Sequence, residues 1–287
     1  MATTNNAVPF PNDFLNQILA TGNSALLEDL YSQFQKLQQG NASQGHVYIG
    51  AANGGTYSQG GNLYIDASWL PNSKSGNSLT VAQMAAVIGH EMAHAVVPGG
   101  SLNFSNATNP GAAVQVGVQA EGAAYLFEYV IALQIGQNAV DEIPPSVRKV
   151  LQTYFPNASS VTQFSTVQGL LDYSQYSTIR ETVGTAAENL SLGKTADSPG
   201  TGYKDAGFTY GKKWVDVWIL DQVLGLSPSQ YNLKAMSASV FSENTIAGAN
   251  GTVLGWQFSG TEVPLLPGAA TQSGPPSVTI VAASKAL

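Results

Sequence analysis

The sequence of 287 residues contains no cysteine. This absence excludes disulfide bonds, thiolate zinc sites, iron–sulfur clusters and cysteine nucleophiles. Histidine is also scarce, with three residues in the whole chain. Any catalytic or metal-binding chemistry must therefore use this small set of histidines together with carboxylates or other polar side chains.

The chain has little charge of either sign. Charged residues make up 10% of it, whereas a typical soluble domain has about 25%. Eleven basic and 18 acidic residues give a formal net charge of −7, and no polybasic stretch is present that could neutralise phosphates. We therefore expect neither nucleic acid nor an anionic membrane as a partner. The hydrophobic content of 44% predicts a folded chain rather than a disordered one.

No apolar run approaches the roughly 18–20 residues that span a bilayer, so the sequence predicts no membrane span. The first residues, Met1 to Pro11, lack the positive n-region and the apolar h-region of a Sec signal peptide. A cysteine-free chain rich in Asn, Ser and Gly is nevertheless compatible with bacterial export. We expect a secreted protein that is exported by a non-Sec route, and a cytoplasmic location stays open.

Changes in the hydrophobic period divide the chain into four segments. Residues 1–45 form a helical segment, with two short helices within Asp13–Gln39 that break at a Thr-Gly-Asn sequence. Residues 46–140 combine strands with two long helices, residues 141–248 are mainly helical, and residues 249–287 form a Gly-, Pro- and Ser-rich tail with short strands. We predict an α+β fold in which a small sheet packs on a long helix.

The second segment contains the most regular patterns. Short β-rich runs at His46–Ile49 and Leu63–Asp66 predict two strands, and the Gly-rich loop between them is too long for a two-residue hairpin. Their pairing direction therefore stays open. A helical period over Leu79–Val97 begins with a capping box at Thr80. A second long helix fits Ala112–Gln137.

The C-terminal half of the chain predicts fewer elements. We expect helices at Thr178–Leu190, with a capping box at its start, and at Lys212–Leu224, which is apolar nearly all round and should be buried with its two tryptophans. Short strands fit Thr252–Phe258 and Ser277–Ala282. None of these elements contains a motif for a particular chemistry.

The first long helix contains the sequence H-E-M-A-H at residues 90–94. Histidines four residues apart lie on the same helix face, so both imidazoles can reach one metal ion, with Zn–N distances of roughly 2.0–2.1 Å. Glu91 lies about 100° around the helix from His90, too far round to be a ligand but close enough to hydrogen-bond a metal-bound water. Such a carboxylate can accept the proton of that water, whose pKa the zinc lowers.

The alternative explanation of this motif is a helix with two incidental histidines in ordinary hydrogen bonds. Two of the three histidines of the chain lie in the motif, and its chance occurrence in such a chain is on the order of one in a thousand. Ile88 and Met92 lie about opposite the histidines, so the helix can face a core and a cleft at the same time. We therefore favour a zinc site.

A catalytic zinc needs a third protein ligand and leaves its fourth position to water. The remaining histidine, His46, opens a predicted strand, and we expect it to be a strand-edge residue without a ligand role. The position at which a metzincin has its third histidine is occupied here by Gly100. The third ligand is therefore expected to be a carboxylate.

Glu121 is the favoured carboxylate, because it lies on the second long helix among small neighbours that would let this helix approach the first one. A carboxylate in a buried stripe is costly unless it is paired or bound to metal. Glu128, two turns further on the same face, is either the competing ligand or an outer carboxylate that accepts a histidine N–H. Weaker candidates are Glu181 and Asp172.

An H-E-x-x-H sequence on one helix with a glutamate on the next resembles the gluzincin branch of the zinc metallopeptidases. The stretch Glu121-x-x-Ala124-x-x-Phe127 is similar to the third-ligand helix of the compact ImmA/IrrE-type peptidases. The strand Asn62–Asp66 lies where such enzymes keep the sheet edge that binds an extended substrate. Together these features cover about residues 46–135.

This resemblance implies a zincin-like fold with one zinc ion per chain. His90, His94 and Glu121 would be the zinc ligands, and Glu91 would be the general base. The chain departs from thermolysin-like enzymes, because it lacks both an E-x-x-S-D run on the third-ligand helix and a downstream histidine that stabilises the oxyanion. A tyrosine or arginine of the C-terminal half must then serve, and the candidates are Tyr173, Tyr176, Arg180, Tyr203 and Tyr210.

The predicted function is hydrolysis of peptide bonds in a protein or peptide substrate by a zinc metalloendopeptidase. One alternative is a non-enzymatic binding module with a structural or vestigial zinc site, and another is a secreted bacterial effector or toxin. No P-loop, dinucleotide-binding or G-x-S-x-G motif is present that would favour a different enzyme class.

Overall fold

A computed structural model describes residues 8–50, 56–70, 78–190, 209–223, 241–248, 251–258 and 280–282. These residues form a mixed α+β structure that is mostly helical and contains a small four-stranded sheet, which confirms the α+β class. The chain divides into a first unit, Thr3–Leu102 with Val118–Ala187, and a second unit, Met1–Ala2 with Asn103–Gly117 and Glu188–Leu287. Among the described helices, none is both long enough and apolar enough to cross a membrane.

The first two helices of the first unit are α1 (Asn12–Gly22) and α2 (Ala25–Gly40). The chain turns between them at Asn23, where a positive φ of 42° ends α1 in the left-handed conformation. The Ser24 side chain then caps α2 by accepting a hydrogen bond from the Leu27 amide. The predicted break between two helices is therefore confirmed, and Leu30 and Phe34 on the apolar side of α2 are fully buried.

The small sheet has the strand order β1-β2-β4-β3. Its strands, numbered β1 to β4 along the chain, are Val8–Pro9, Val47–Gly50, Tyr57–Gln59 and Asn62–Asp66. β2 and β4 pair in parallel, whereas β1 pairs with β2, and β3 with β4, in antiparallel fashion. The two predicted strands are therefore present, and the pairing direction that the sequence left open is parallel.

β4 has a partner on each side, so the prediction that this strand forms the sheet edge is wrong. The edge beside it is β3, a strand of three residues that the sequence pattern did not predict. Gly60 and Gly61, with φ values of 60° and 75°, join β3 to β4 through a two-residue turn of the kind that favours hairpins. The side chains of Leu63 and Ile65 on β4 are fully buried.

Two long helices follow the sheet in the chain. α3 (Val81–Val96) begins with the predicted capping box, in which the side chains of Thr80 and Gln83 each accept a hydrogen bond from the other residue's amide. α3 packs against β3, β4, α1 and α2. α4 (Pro110–Ile135) is buried on every side from Ala120 to Leu133, rather than along the single stripe that the sequence pattern indicated.

Three further helices are α5 (Pro145–Tyr154), α6 (Val167–Leu171) and α7 (Tyr176–Glu188). α7 begins two residues before Thr178, so the capping box predicted at Thr178 is wrong. The Tyr176 amide already donates to the carbonyl of Tyr173, and this turn sets the start of the helix in place of a threonine cap.

α4 and α7 cross with their backbones in contact. A Cβ atom at Gly184 of α7 would overlap the carbonyl oxygen of Val118. In the same way, a Cβ atom at Gly122 of α4 would overlap the carbonyl oxygen of Arg180. Glycine at both positions therefore sets the short distance between the two helices.

The described part of the second unit contains α8 (Tyr210–Trp218), which continues as a π-helical turn. Trp214 and Trp218 are buried as predicted, and the Trp218 indole donates to the carbonyl oxygen of Ala107 at 2.7 Å. Three antiparallel strands, β5 to β7, span Phe241–Gly248, Gly251–Phe258 and Ile280–Ala282. The sequence predicted β6 and β7 but not β5. Residues 277–279 of the predicted last strand lie outside the described residues.

Replacing Gly184 with alanine is expected to destabilise the protein, because the added methyl group must displace the backbone at the α4–α7 crossing. Overpacking of this kind costs about 1–3 kcal/mol. Urea unfolding followed by circular dichroism should show a lower midpoint. Gly40→Ala is the matched control, since nothing lies within 4 Å of a Cβ atom at that helical position. An equal effect in both variants would contradict the close crossing.

Candidate metal centre

Three side chains of α3 and α4 direct their donor atoms at one another. His90 and His94 lie one turn apart on α3, with 3.2 Å between their Nε2 atoms. On α4, Oε2 of Glu121 lies 3.6 Å from Nε2 of His90, and Oε1 lies 3.8 Å from Nε2 of His94. The three residues predicted as ligands therefore lie together, and we call them the ligand group.

The separations within the ligand group fit the shell of a tetrahedral zinc ion. Ligand atoms bound at roughly 2.0–2.1 Å in tetrahedral positions lie roughly 3.3–3.4 Å from one another. The nitrogen–nitrogen separation of 3.2 Å is close to that value, whereas the nitrogen–oxygen separations of 3.6 and 3.8 Å involve different oxygens of Glu121 and are slightly longer. A metal ion can therefore be held by these three side chains after small movements.

The second nitrogen of each histidine has a partner on the outer side of the group. His90 Nδ1 lies 2.8 Å from Oε2 of Glu128 on α4, and His94 Nδ1 lies 2.6 Å from the carbonyl oxygen of Gly100. A carbonyl and an ionised carboxylate can only accept, so each Nδ1 donates, and in the neutral ring the lone pair of Nε2 is directed at the centre. Outer partners of this kind are typical of metal-bound histidines.

Glu128 thus lies in the outer-carboxylate position, which was one of the two roles considered for it. Glu121 is the carboxylate that faces both Nε2 atoms. Gly100 was not predicted as a partner of His94, because the sequence analysis considered it only as the residue that replaces a metzincin histidine. A Cβ atom at Gly100 would overlap the carbonyl oxygen of Ala93, so glycine lets the chain turn this close to the end of α3.

Two imidazole lone pairs and a carboxylate that face one another repel unless a cation lies between them. Burial lowers the pKa of His90. Hydrogen bonds to Glu121 and Glu128 and the negative charge around the ring raise it by more, so the pKa lies well above its ordinary value. A proton satisfies this arrangement in part. A divalent cation would satisfy all three inward atoms, which makes the group electrostatically suited to a metal ion.

Glu91 lies beside His90 on α3 but outside the ligand group. Its residue surface is 7% exposed. Burial raises the pKa of Glu91, the two histidines lower it, and the neighbouring carboxylates raise it again, with a net rise. A carboxylate with a raised pKa is a better proton acceptor than a fully solvated one.

Close packing between α3 and α4 holds the ligand group in place. At Gly89, which precedes His90, the Ile131 side chain occupies the space that a Cβ atom would need. The Tyr125 ring lies edge-on to the His90 ring, with 4.6 Å between the ring centroids. Tyr125 was not predicted as a residue of the site, although its spacing of four residues from Glu121 places both on one helix face.

The weaker ligand candidates lie elsewhere. His46 comes directly before β2, and its Nε2 lies 2.9 Å from the carbonyl oxygen of Ala42. Asp172 is exposed and accepts a hydrogen bond from the Gln168 side chain. Glu181 is exposed on α7. These three candidates are not members of the ligand group.

The residues considered for oxyanion stabilisation lie in different parts of the protein. Tyr203 lies outside the described residues, and Tyr210 lies on α8 in the second unit. Tyr173 packs in a cluster of aromatic rings. Tyr176 and Arg180 lie on α7 in the first unit, and the backbone of Arg180 lies where this helix crosses α4.

Replacing Glu128 with glutamine should weaken zinc binding by about 10–100-fold, the usual effect of losing an outer partner of a metal-bound histidine. The amide keeps the size of the carboxylate but loses its charge, so His90 becomes a less basic ligand. Competitive titration against a zinc chelator of known affinity measures the change. Glu28→Gln, at an exposed position of α2, is the control. Unchanged zinc affinity in the Glu128 variant would contradict this role.

Comparison with protein-family models, with curated proteins and with solved structures finds no match to this chain. The resemblance to the gluzincins therefore stays a prediction from the residue pattern. The case for a metal centre depends on the positions of the ligand group and of its outer partners, Glu128 and Gly100.

Proposed function

We propose that this protein is a zinc-dependent metallopeptidase with a zincin-like fold. The observation that most supports the proposal is the ligand group, in which two imidazole nitrogens and a carboxylate converge while both outer nitrogens are hydrogen-bonded. Two histidines with one glutamate are a ligand set of catalytic zinc in peptidases, where the fourth position is open to water. Structural zinc sites use four protein ligands instead.

Each side chain of the site has a defined task in this proposal. A zinc ion held by His90, His94 and Glu121 would supply a Lewis acid for the substrate carbonyl and would lower the pKa of a water molecule. Glu91 accepts a proton from the attacking water and later donates it to the amine of the leaving group. Glu128 and Gly100 hold the two imidazole rings in the orientation that binding requires.

An extended peptide substrate would bind along β3. Within the described sheet, β3 pairs on one side only, with β4, and it contacts α3, the helix that contains both histidines. The edge strand of a sheet can add a further strand through backbone hydrogen bonds. The proposal therefore moves the substrate-binding edge from β4, where the sequence analysis placed it, to the neighbouring strand.

The metal content of the protein, purified without added metal, is the first test, and mass spectrometry measures it. We expect about one zinc ion per chain, lost in His94→Ala and in Glu121→Ala because each variant lacks one of three ligands. His46→Ala is the matched control, since this histidine lies outside the ligand group. If zinc is lost in His94→Ala but retained in Glu121→Ala, Glu121 is not a ligand. If the native protein takes up no zinc, the proposal is wrong.

Replacing Glu91 with glutamine should leave zinc bound but reduce hydrolysis by about 10²–10⁴-fold, the usual contribution of a general base. Mass spectrometry of a synthetic peptide library detects the new termini, and zinc is measured in the same sample. Glu28→Gln is again the control. Cleavage by the Glu91 variant at the native rate would contradict its role, and a zinc-loaded native protein that cleaves no peptide would favour the binding module.

A further inference from the structure

Arg180 lies on α7 beside the metal centre, and the chemistry proposed above gives it no task. Its backbone carbonyl packs against Gly122, the residue after Glu121. Its guanidinium extends to the loop after α3, where Nη1 lies 3.3 Å from the position of a Cβ atom on Gly99. Gly99 directly precedes Gly100, the outer partner of the second histidine. Arg180 therefore lies between the helix of the third ligand and the loop that orients a histidine ligand.

One polar atom of the Arg180 side chain is buried without a partner. Its Nε is buried without a hydrogen-bond partner, and among the described residues no carboxylate lies within ion-pair distance of its guanidinium. One turn earlier on α7, the buried hydroxyl of Tyr176 interacts with the Arg180 guanidinium and has no other hydrogen-bond partner. The guanidinium lies 5.5 Å from the centre of the Tyr176 ring. Arg148, in contrast, donates to Asp141 at 2.7 Å.

A buried guanidinium nitrogen without a hydrogen-bond partner, next to a buried hydroxyl, needs a physical explanation. A guanidinium stays charged in proteins and can only donate hydrogen bonds, and a buried donor without a partner destabilises the folded state, most of all when it is charged. The Tyr176 hydroxyl adds a second donor four residues away, on the same face of α7. Two neighbouring donors, one of them cationic, define a site for an anionic acceptor.

We propose that Arg180 and Tyr176 bind a carboxylate group of the substrate beside the metal centre. The proposal rests on the proposed peptidase function for the identity of the substrate, because the anionic groups of an unmodified peptide are its C-terminal carboxylate and its Asp and Glu side chains. The planar fork of an arginine matches the two oxygens of a carboxylate. Glu121 and Glu128 do not supply this acceptor, since neither forms an ion pair with the guanidinium and their described contacts are with the histidines.

A matched pair of small probes tests the carboxylate site directly. N-acetylglycine has a carboxylate where N-acetylglycinamide has a neutral amide, and the two are otherwise identical. Calorimetry measures their binding to full-length protein of known zinc content. We expect the native protein to prefer the acid, and we expect acid binding to weaken by about 10–100-fold in Arg180→Gln. Arg180→Lys should weaken it less, because lysine keeps the charge but not the fork.

Two further variants separate a binding role from a structural one. Tyr176→Phe removes only the hydroxyl and should weaken binding of the acid without changing binding of the amide. Arg148→Gln removes a cation elsewhere in the same unit and should leave both unchanged. If circular dichroism shows that Arg180→Gln does not fold, Arg180→Lys and Tyr176→Phe still decide the question, and full acid binding in both would overturn the proposal.

Other outcomes would also overturn it. Equal binding of acid and amide by the native protein would exclude a carboxylate site. A preference for the acid that persists in Arg180→Gln and disappears on removal of zinc would assign the carboxylate to the metal. Because this assay needs no hydrolysis, its result does not depend on whether the peptidase proposal fails.

Three short peptides identify the source of the carboxylate. They are N-acetyl-trialanine with a free C-terminus, the same peptide as its C-terminal amide, and an amidated N-acetyl-Ala-Glu-Ala. Preference for the first peptide identifies a C-terminal carboxylate, and preference for the third identifies an acidic side chain. Either preference supports the proposal if it is lost in Arg180→Gln, and equal binding of all three peptides contradicts it.

Discussion

The hydrogen bond between Nδ1 of His90 and the carboxylate of Glu128 joins α3 to α4. Glu128 lies on the stretch of α4 that is buried on every side, and its surface is 3% exposed. A carboxylate at such a position is stable only with a partner, and His90 is the partner that the fold provides. The same bond fixes which nitrogen of His90 faces Glu121. The geometry of the ligand group therefore depends on it.

Close backbone packing supports the ligand positions from the residues next to them in the chain. Gly122 follows Glu121 and lies against α7, while Gly89 precedes His90 and lies against α4. Gly100 lets its own carbonyl group reach the second histidine. Side chains attached to a backbone that is held this closely have few alternative orientations. Such restriction is what a preorganised metal site requires.

The parts of the site that depend on local geometry could be predicted from the sequence. The spacing of His90 and His94 places both rings on one face of any helix, and Glu121 was indicated by small neighbours that allow close helix packing. The role of Gly100 could not be predicted, because every residue has a carbonyl group and this contact has no side-chain signature. β3 was missed since three residues are too few to show an alternating pattern. The capping pattern at Thr178 was misleading because it also fits the interior of a helix, where the Thr178 carbonyl accepts from a later hydroxyl.

In the described sheet, the edge strand β3 is only three residues long. β3 has few backbone groups to offer, and Gly60 and Gly61 reverse the chain directly after it. Long, flat edge strands pair with one another and promote aggregation, whereas short edges resist such pairing. Within the described sheet, β3 thus gives a second copy of the protein too few backbone groups to extend the sheet into a fibre.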